Sequence, residues 1–583
     1  MRVHIKSCNV MDPFKYIILA SLLFSACAQG PVRPTVAHPV GINESVPEET
    51  AVLPNIELSD ELLYEFLLTE IAVQRGDVDL AVQGSLELAS KTRDPRLAMR
   101  ATQIAFQSGR LDKAAEALKI WREADPASPM AMRMNASVLL RAGKLDEAHQ
   151  ELVKVLNADQ ANAGHIFYQI YQMLASYPDK DAALNFMLDL AKPYPRVAEA
   201  HWAVAQLAQV SGDNQLALEE ARRARNLRPD WDTAVSLEAF LLKRSDPRQG
   251  LQLLRNYLSD HPDALEIRLQ YARALLEEKQ YKEARDQFQI LADDNPDNPE
   301  TAFAIALISL QMKDYKGAEE HLKEALYKGK KDQNTVRYYL GQLSEAKQSS
   351  EEAIENYRQV TGGEYQFAAQ VRIAYLLNKS GRFDEAIQEL HQILPVDNQQ
   401  RVQLISVEAQ ILREANRPSE AYLVLQHGLE KLPNDPDLLY GTAMLADTLG
   451  KPEVFEQLMR KLIKIQPDHA HAYNALGYSL LERNEKIPEA MQLVEKALQL
   501  APDDPAIMDS VGWGYYRTGK LDESVKMLRR AYAGNPDPEI AAHLGEVLWM
   551  RGDKDEARKI WQDSLKDNPD NAKLLAAIKK FIP

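Results

Sequence analysis

Cysteine is nearly absent from this sequence of 583 residues. Its two cysteines, Cys8 and Cys27, lie close to the amino terminus, and residues 28–583 contain none. A disulfide framework or a cysteine-ligated metal site is therefore excluded from the body of the chain. Basic residues are also few, with 69 Lys and Arg against 85 Asp and Glu. The net charge of −16 gives no general attraction for phosphate backbones, so nucleic acid is not an expected partner.

The sequence also lacks the short motifs that commonly mark a catalytic site. It has no HExxH zinc motif, no GxxxxGK[ST] phosphate loop and no GxSxG nucleophile motif. His469 and His471 are two residues apart and cannot face the same side of a helix, so a turn is the better interpretation than a metal site. We therefore expect no enzyme activity, no cofactor and no bound metal.

One apolar run near the amino terminus predicts a secretion signal rather than a membrane span. Residues Tyr16–Phe24 follow Lys15 and are too few to cross a bilayer as a permanent helix. A basic start, an apolar middle and small residues at the exit are typical of a cleaved signal peptide, which we predict over residues 1–26. The sequence leaves the choice of start between Met1 and Met11 open.

The next residues, Phe24-Ser25-Ala26-Cys27, resemble the lipobox of bacterial lipoproteins. In that family the cysteine thiol receives diacylglycerol, so the resemblance implies a lipidated Cys27 that anchors the chain to a membrane. The family usually has leucine where this chain has Phe24, and an ordinary signal peptide with an incidental cysteine is the alternative. Ala28 stands where enteric lipoproteins retained at the inner membrane have aspartate, so the resemblance favours the outer membrane, facing the periplasm.

Residues 27–57 differ in composition from the rest of the chain. They carry five prolines and little periodicity, which predicts an extended tether between the lipid and the body. Residues 58–583 are predicted to form the folded body.

From about Leu62 onward a helical pattern repeats at a steady interval. Aligning one small residue per repeat gives fifteen anchor positions, and their fourteen spacings are all 33, 34 or 35 residues. The anchors are Ala81, Ala114, Ala148, Ala183, Ala217, Gly250, Ala284, Ala318, Ala353, Ala386, Ala421, Phe455, Ala490, Ser524 and Ala557. Ten repeats carry proline twelve residues after the anchor, where it would end the second helix of the repeat. Aspartate directly follows seven of these prolines, and we expect it to cap the next helix.

A period of about 34 residues with a small anchor and a terminal proline resembles the tetratricopeptide repeat. Gly477, Gly512 and Gly545 stand where the first helix of that repeat approaches its partner closely. The resemblance implies an all-α fold, a superhelical solenoid of about fifteen helix-turn-helix units. Residues 571–583 resemble the amphipathic helix that caps such a solenoid.

Several repeats depart from this pattern. Those anchored at Ala318, Ala353 and Ala386 lack the proline, and the one at Phe455 has a bulky anchor. We expect the local packing to change at these repeats.

The resemblance assigns protein binding to the first helix of each unit, which lines the inner groove of the solenoid. Amide and aromatic side chains suit peptide capture, since amides bond an extended backbone and rings supply contact area. The candidate residues are Tyr338, Gln342, Tyr375, Asn378, Gln410, Arg413, Asn474, Tyr478, Asp509, Trp513, Tyr516 and Trp549. The alternative for each is that it packs against a neighbouring unit.

Residues 472–561, beginning AYNALGYSLLERNEKIPEAM, resemble the C-terminal block of proteobacterial repeat lipoproteins. They are most similar to the lipoprotein adaptor that partners the carboxyl-terminal processing protease. This resemblance implies an outer-membrane scaffold that docks a periplasmic protease and presents its substrates, peptidoglycan hydrolases. The alternative is an assembly lipoprotein of an exopolysaccharide-export machine or of a pilus secretin. Either function requires protein partners and attachment to a membrane through the lipid anchor.

Overall fold

A computed structural model describes residues 53–582 of the chain. The predicted signal peptide, Cys27 and nearly all of the tether therefore lie outside the described residues. Within the described range the structure contains 31 α-helices and no strand, with one 3-10 turn at Gln160–Asn162. None of the helices in this range has the length and apolar character that crossing a membrane requires.

The described chain divides into two compact units, one ending at Ala318 and the other beginning at Glu319. The helices that begin in the first unit are α1 (Asp60–Arg75), α2 (Val78–Thr92), α3 (Pro95–Gln107), α4 (Leu111–Ala124), α5 (Pro129–Arg141), α6 (Leu145–Ala158), α7 (Ala163–Leu174), α8 (Lys180–Ala191), α9 (Ala198–Ser211), α10 (Asn214–Leu227), α11 (Asp232–Ser245), α12 (Pro247–Asp260), α13 (Leu265–Glu277), α14 (Tyr281–Asp294), α15 (Pro299–Gln311) and α16 (Tyr315–Tyr327). The division between the units falls inside α16.

The helices that begin in the second unit continue the same alternation. They are α17 (Gln333–Ala346), α18 (Ser350–Arg358), α19 (Gln366–Lys379), α20 (Phe383–His391), α21 (Asn398–Glu414), α22 (Pro418–Lys431), α23 (Pro436–Thr448), α24 (Pro452–Ile465), α25 (Ala470–Arg483), α26 (Ile487–Leu500), α27 (Pro505–Arg517), α28 (Leu521–Gly534), α29 (Pro538–Arg551), α30 (Lys554–Asp567) and α31 (Ala572–Phe581). Odd-numbered helices come first in each pair and even-numbered helices second, so the predicted fifteen pairs and one terminal helix are confirmed.

The anchor positions explain why the helices pair so regularly. Every anchor lies near the start of an even-numbered helix, and all fifteen are buried. A small side chain there lets the two helices of a pair approach closely, and neighbouring pairs cover the remaining apolar surface. The polar anchor Ser524 is accommodated because its hydroxyl donates to the carbonyl of Gly512 at 2.7 Å. The bulky anchor Phe455 is also buried, with 1 % of its surface exposed.

The prolines end the second helices as expected, but the aspartates that follow them do not cap as predicted. Six of the seven aspartates precede the cap by one residue. After Pro296, the N–H of Asn298 bonds the carbonyl of Asn295 at 3.2 Å. The proline and the aspartate therefore fill the centre of a turn, and Asn298 becomes the cap of α15. Asp537 is the exception, since its carboxylate accepts from the N–H of Glu539 at 2.8 Å.

Close approach of paired helices requires glycine where the sequence predicted it. A Cβ on Gly545 of α29 would lie 2.1 Å from Nε1 of Trp561 on α30. A Cβ on Gly477 of α25 would lie 2.7 Å from a methyl carbon of Val494 on α26. These contacts show that both helix pairs pack too tightly for any larger residue.

Two of the repeats without proline, those anchored at Ala353 and Ala386, differ locally from the others, as expected. Their second helices, α18 and α20, have nine residues each, whereas α22 and α24 have fourteen. After α20 the chain passes through Leu394 and Val396, which are 87 % and 84 % exposed. The shortened helix α20 is therefore followed by an apolar connection that is exposed, whereas Val360 after α18 is buried.

The C-terminal helix α31 covers the last repeat, which confirms the predicted cap. Leu574 is fully buried, and the ring of Phe581 stacks on Trp561 with centroids 6.1 Å apart. Trp549 packs against both rings, at 5.9 Å from Trp561 and 6.0 Å from Phe581. The apolar side of α31 thus closes the apolar surface of the pair α29–α30.

Candidate protein-binding surface

All twelve predicted binding residues lie on odd-numbered helices of the second unit, but they differ in accessibility. Seven are buried and offer a partner little surface, namely Tyr338, Gln342, Asn378, Asn474, Tyr478, Asp509 and Trp513. Five remain half-buried or exposed, namely Tyr375, Gln410, Arg413, Tyr516 and Trp549. For the buried seven, packing against neighbouring units accounts for the side chain in this structure.

The most accessible part of the predicted surface lies on α19 and α21. Two side-chain amides hold the carboxylate of Glu414, Asn378 Nδ2 at 2.7 Å and Gln410 Nε2 at 3.0 Å. The guanidinium of Arg372 lies 4.6 Å from the ring centre of Tyr375. Arg413 is exposed and has no ion pair within residues 53–582. A ring, an amide and a free guanidinium on neighbouring helices can contact the backbone and an acidic group of a bound polypeptide.

Tyr338 belongs to a packed tyrosine cluster instead of an open groove. Its ring stacks on Tyr365 at 4.5 Å and lies 5.6 Å from Tyr357. Tyr357 donates its hydroxyl to Glu345 at 2.5 Å, and Glu345 also pairs with Arg372. Burial raises the pKa of the Tyr338 hydroxyl, as expected for a phenol removed from water. This cluster joins α17, α18 and α19.

A second buried network joins α25, α27 and α29. The Nδ1 of His543 lies 3.0 Å from both carboxylate oxygens of Asp509, and the imidazole stacks on Trp513 with centroids 4.3 Å apart. Burial alone would lower the pKa of His543, but the Asp509 carboxylate outweighs it and raises that pKa. Tyr478 donates its hydroxyl to Glu539 at 3.4 Å. Each of these side chains is held in place by contacts with neighbouring side chains.

Some buried polar atoms of this surface have no hydrogen-bond partner in the described chain. They are the amide atoms Gln342 Nε2, Asn378 Oδ1 and Asn474 Oδ1 and the indole Trp513 Nε1. An unpaired buried donor or acceptor costs free energy, roughly 1–3 kcal/mol. A peptide backbone carries the complementary groups, a carbonyl and an N–H, so a bound chain that reached these atoms would recover that cost.

An aromatic cluster in the first unit was not predicted from the sequence. Tyr168 on α7 stacks on Trp202 of α9 with centroids 5.3 Å apart, and Tyr171 meets the same indole edge-on at 4.8 Å. Trp231 lies 5.9 Å from Trp202, and the Arg228 guanidinium lies 4.9 Å from the Trp231 ring centre. Tyr168 and Trp202 each precede their anchor by fifteen residues, as Tyr338 precedes Ala353. Extending the same count to the earlier repeats would have found both.

No catalytic or metal centre is evident in the part of the chain that the structure describes. No group of three or more His, Asp or Glu side chains is placed to hold a metal within residues 53–582. The prediction that both histidines are turn residues is only partly right. His469 caps α25, because its Nδ1 accepts from the N–H of Ala472 at 3.1 Å, whereas His471 lies inside that helix. The rings of His469 and His471 are 6.5 Å apart.

Comparison with known proteins finds repeats in several stretches of the chain. Tetratricopeptide-repeat family models match residues 99–163, 241–308, 275–343, 453–505 and 512–572. The matches fall in both units, and each spans helix pairs described above.

Similarity also extends to whole proteins. A TPR repeat-containing protein of Pseudomonas aeruginosa is 35 % identical over 493 residues, covering 84 % of this chain and 82 % of that protein. Cellulose synthase operon protein C of Pseudomonas fluorescens is 22 % identical over 431 residues, which is 64 % of this chain and 32 % of that protein. The solved C-terminal part of a TPR repeat-containing protein from Cytophaga hutchinsonii is 18 % identical. It aligns with a TM-score of 0.34 over 42 % of this chain and 99 % of that one.

Proposed function

Because this chain belongs to the tetratricopeptide-repeat family and is a protein-binding scaffold, we propose that it is a lipid-anchored adaptor of the bacterial envelope. In this role it docks a carboxyl-terminal processing protease and presents peptidoglycan hydrolases to it. The body supplies binding surface and no chemistry of its own.

The observation that carries the proposal is the accessible surface of α19 and α21. Tyr375, Gln410 and Arg413 are the predicted residues of these helices that remain half-buried or exposed. They combine a ring, an amide and an unpaired cation, which together suit an extended polypeptide with acidic groups. The protease and its substrates are polypeptides, so this surface fits both.

The proposed location of the scaffold rests on the predicted lipidation of Cys27. A diacylglycerol on its thiol and a further acyl chain would give stable membrane attachment, where one chain is marginal. The proline-rich residues 27–57 would then separate the body from the lipid surface. The outer membrane is the proposed site, because Ala28 replaces the aspartate of inner-membrane retention.

A second candidate function is assembly of an exopolysaccharide-export machine or a pilus secretin. The 22 % identity with cellulose synthase operon protein C favours it, although this chain covers only 32 % of that protein. A scaffold for a synthase or a secretin would use the same anchor and the same helix faces. Identification of the bound partner separates the two functions.

Site-specific photo-crosslinking in intact cells tests the adaptor function. A photoreactive amino acid at Gln410 on α21 is expected to capture the protease or its hydrolase substrates. The matched control is Gln426, which is exposed on the second helix α22 of the same repeat. Capture of secretin or synthase subunits through Gln410 would establish the second function. Equal capture through Gln410 and Gln426 would contradict binding by the first-helix face.

Substitution of the anchor tests the proposed location separately. Cys27→Ser removes the thiol that accepts the lipid, so the body is expected to move from the membrane fraction to the soluble periplasmic fraction. Thermal unfolding of the released variant should match that of the parent chain, since residue 27 lies far along the sequence from α1. A variant that stayed in the membrane fraction would contradict lipid anchoring through Cys27.

A further inference from the structure

A depression of about 370 Å³ lies in the first unit, where helices α12, α13 and α14 meet. All three helices contribute to its lining, and every lining side chain except Leu258 carries a polar group. Its volume is at the small end of the roughly 300–1,000 Å³ of small-molecule sites in proteins. The twelve predicted binding residues all belong to the second unit, so this depression is separate from the candidate protein-binding surface.

The wall of the depression contains a buried arginine that has no acidic partner. Arg268 is 6 % exposed and forms no ion pair within residues 53–582. Its Nη1 donates to Oε1 of Gln287 and its Nη2 to the carbonyl of Pro262, both at 2.6 Å, while Nε has no partner. A guanidinium carries five N–H groups, so most of its donor capacity is unused. Because a buried cation without a counter-charge is costly, this position favours an anion in the depression.

Further hydrogen-bond donors line the same depression. The Tyr271 hydroxyl oxygen accepts from Arg255 Nε at 2.8 Å, which leaves the hydroxyl hydrogen able to donate. Since a guanidinium only donates, the amide oxygen of Gln287 must face Arg268, and the Nε2 of that amide remains a donor. Ser259 of α12 adds an exposed hydroxyl. Three helices therefore bring donors to one place, which suits the two acceptor oxygens of a carboxylate.

The acidic side chains of the depression restrict which anion can bind. Arg255 neutralises Glu283, because its Nη2 lies 2.8 Å from Oε2 of that glutamate. Asp286 is exposed and has no ion pair in the described part of the chain. The depression therefore holds one unpaired cation, Arg268, and one unpaired anion, Asp286. A doubly charged phosphate would be repelled by Asp286, whereas a group with one charge of each sign can pair with both.

We propose that this depression binds the head group of a free α-amino acid, in which a carboxylate and an ammonium group share one carbon. The carboxylate would accept from the guanidinium of Arg268 and the hydroxyl of Tyr271, and the ammonium would pair with Asp286. An acidic side chain of a polypeptide is disfavoured, since no ammonium group accompanies its carboxylate. The site would give the first unit a small-molecule ligand in addition to the protein partners of the scaffold.

Isothermal titration calorimetry on the intact purified chain tests this proposal. Each of the common L-amino acids is titrated separately, and at least one is expected to bind with a Kd of about 1 mM or less. The N-acetyl derivative of that amino acid lacks the ammonium group, and its amide derivative lacks the carboxylate. Each derivative should bind about tenfold more weakly or worse, because each has lost a charged hydrogen-bonding group.

Variants of the lining residues locate the binding site. Arg268→Gln and Asp286→Asn should each weaken binding of the amino acid about tenfold or more. The matched control is Asp294→Asn, an exposed aspartate of the same helix α14 that does not line the depression, and binding should be unchanged. Tyr271→Phe keeps the buried ring and should weaken binding even if Arg268→Gln fails to fold. Circular dichroism checks that each variant keeps its helix content.

Three outcomes would overturn the proposal. One is that no free amino acid binds the chain. Another is that the N-acetyl derivative binds as tightly as the amino acid, which would make a simple carboxylate or an acidic polypeptide the ligand. The third is equal weakening by Asp286→Asn and Asp294→Asn. None of these results bears on capture through Gln410, so this inference and the proposed function can fail separately.

Discussion

Apolar surface is covered at the C-terminal end of the described chain and exposed at its amino-terminal end. At the C-terminal end, α31 buries Leu574 and stacks Phe581 on Trp561, while Lys573 and Lys580 on its polar side pair with acids of α29. At the amino-terminal end, α1 leaves five large apolar side chains between 40 % and 65 % exposed, namely Leu63, Tyr64, Phe66, Leu67 and Ile71. A helix of a repeat stack has apolar surface on both sides, so a terminal helix must be amphipathic or be covered. A described helix therefore covers the C-terminal end, whereas no described residue covers this side of α1.

Matched leucine substitutions at the two ends should show the largest difference. Leu574→Ala removes a fully buried side chain and is expected to lower the free energy of unfolding of the C-terminal unit by about 2–5 kcal/mol. Leu67→Ala, at a side chain that is 50 % exposed, should change it by about 0.5 kcal/mol or less. Denaturant titration followed by far-ultraviolet circular dichroism measures both. Equal effects would mean that Leu67 is already covered in the isolated chain.

Glycine substitutions compare how tightly the paired helices pack at the two ends of the described chain. An alanine at Gly545 would meet the buried indole of Trp561, which cannot move aside, and should cost about 1–3 kcal/mol. An alanine at Gly84 of α2 would meet Oγ1 of Thr69 at 2.3 Å. That hydroxyl can rotate away at the cost of its bond to the Glu65 carbonyl, so the loss should be smaller. Thermal unfolding shows which variant loses more stability. A larger loss of stability for Gly84→Ala than for Gly545→Ala would contradict this prediction.

Each unit contains a histidine whose pKa is raised. We therefore expect the stability of each unit to depend on pH, with a smaller effect than the substitutions above. In the first unit, Glu220 accepts from His201 Nδ1 and raises the pKa of that imidazole, and the carbonyl of Pro195 accepts from its Nε2. In the second, Asp509 overcomes the effect of burial and raises the pKa of His543. A group whose pKa is higher in the folded state stabilises it fully below its unfolded pKa, about 6.5 for histidine. This stabilisation is lost as the pH rises through the folded value.

Denaturant titrations at several pH values check the histidine prediction. The free energy of unfolding should fall as the pH rises from about 6.5 through the raised pKa of each histidine. Glu220→Gln should flatten this dependence for unfolding of the first unit, and Asp509→Asn should flatten it for the second. A parent chain whose stability is constant over this range would contradict the assignment of charged histidines.

The helix pairing could be predicted from the sequence because the same constraint recurs fifteen times. A small anchor, a proline and a fixed spacing report a local packing rule, and this rule located every second helix, even where Phe455 or Ser524 replaces alanine. The caps were predicted one residue too early because proline and aspartate together occupy a turn. That error depends on turn geometry, which the spacing of residues does not reveal.

The candidate surface was predictable only in part. Residue type and register selected Tyr375, Gln410 and Arg413, which are half-buried or exposed, but the same signals selected Tyr338 and Trp513, which are buried. Whether a side chain on the first helix is accessible depends on residues of two neighbouring repeats, such as Tyr365 against Tyr338 and His543 against Trp513. Such contacts are set by the size of distant side chains and not by the repeat itself.

Hydrogen–deuterium exchange with and without a bound partner tests the central claim most directly. The partner is the protein captured through Gln410, purified and added back to the intact chain. Binding on the first-helix face should slow amide exchange in α19 and α21 and leave the second helices α20 and α22 unchanged. Protection confined to α20 and α22, or absent from α17–α22 altogether, would contradict the claim that this scaffold binds proteins through the first helices of its repeats.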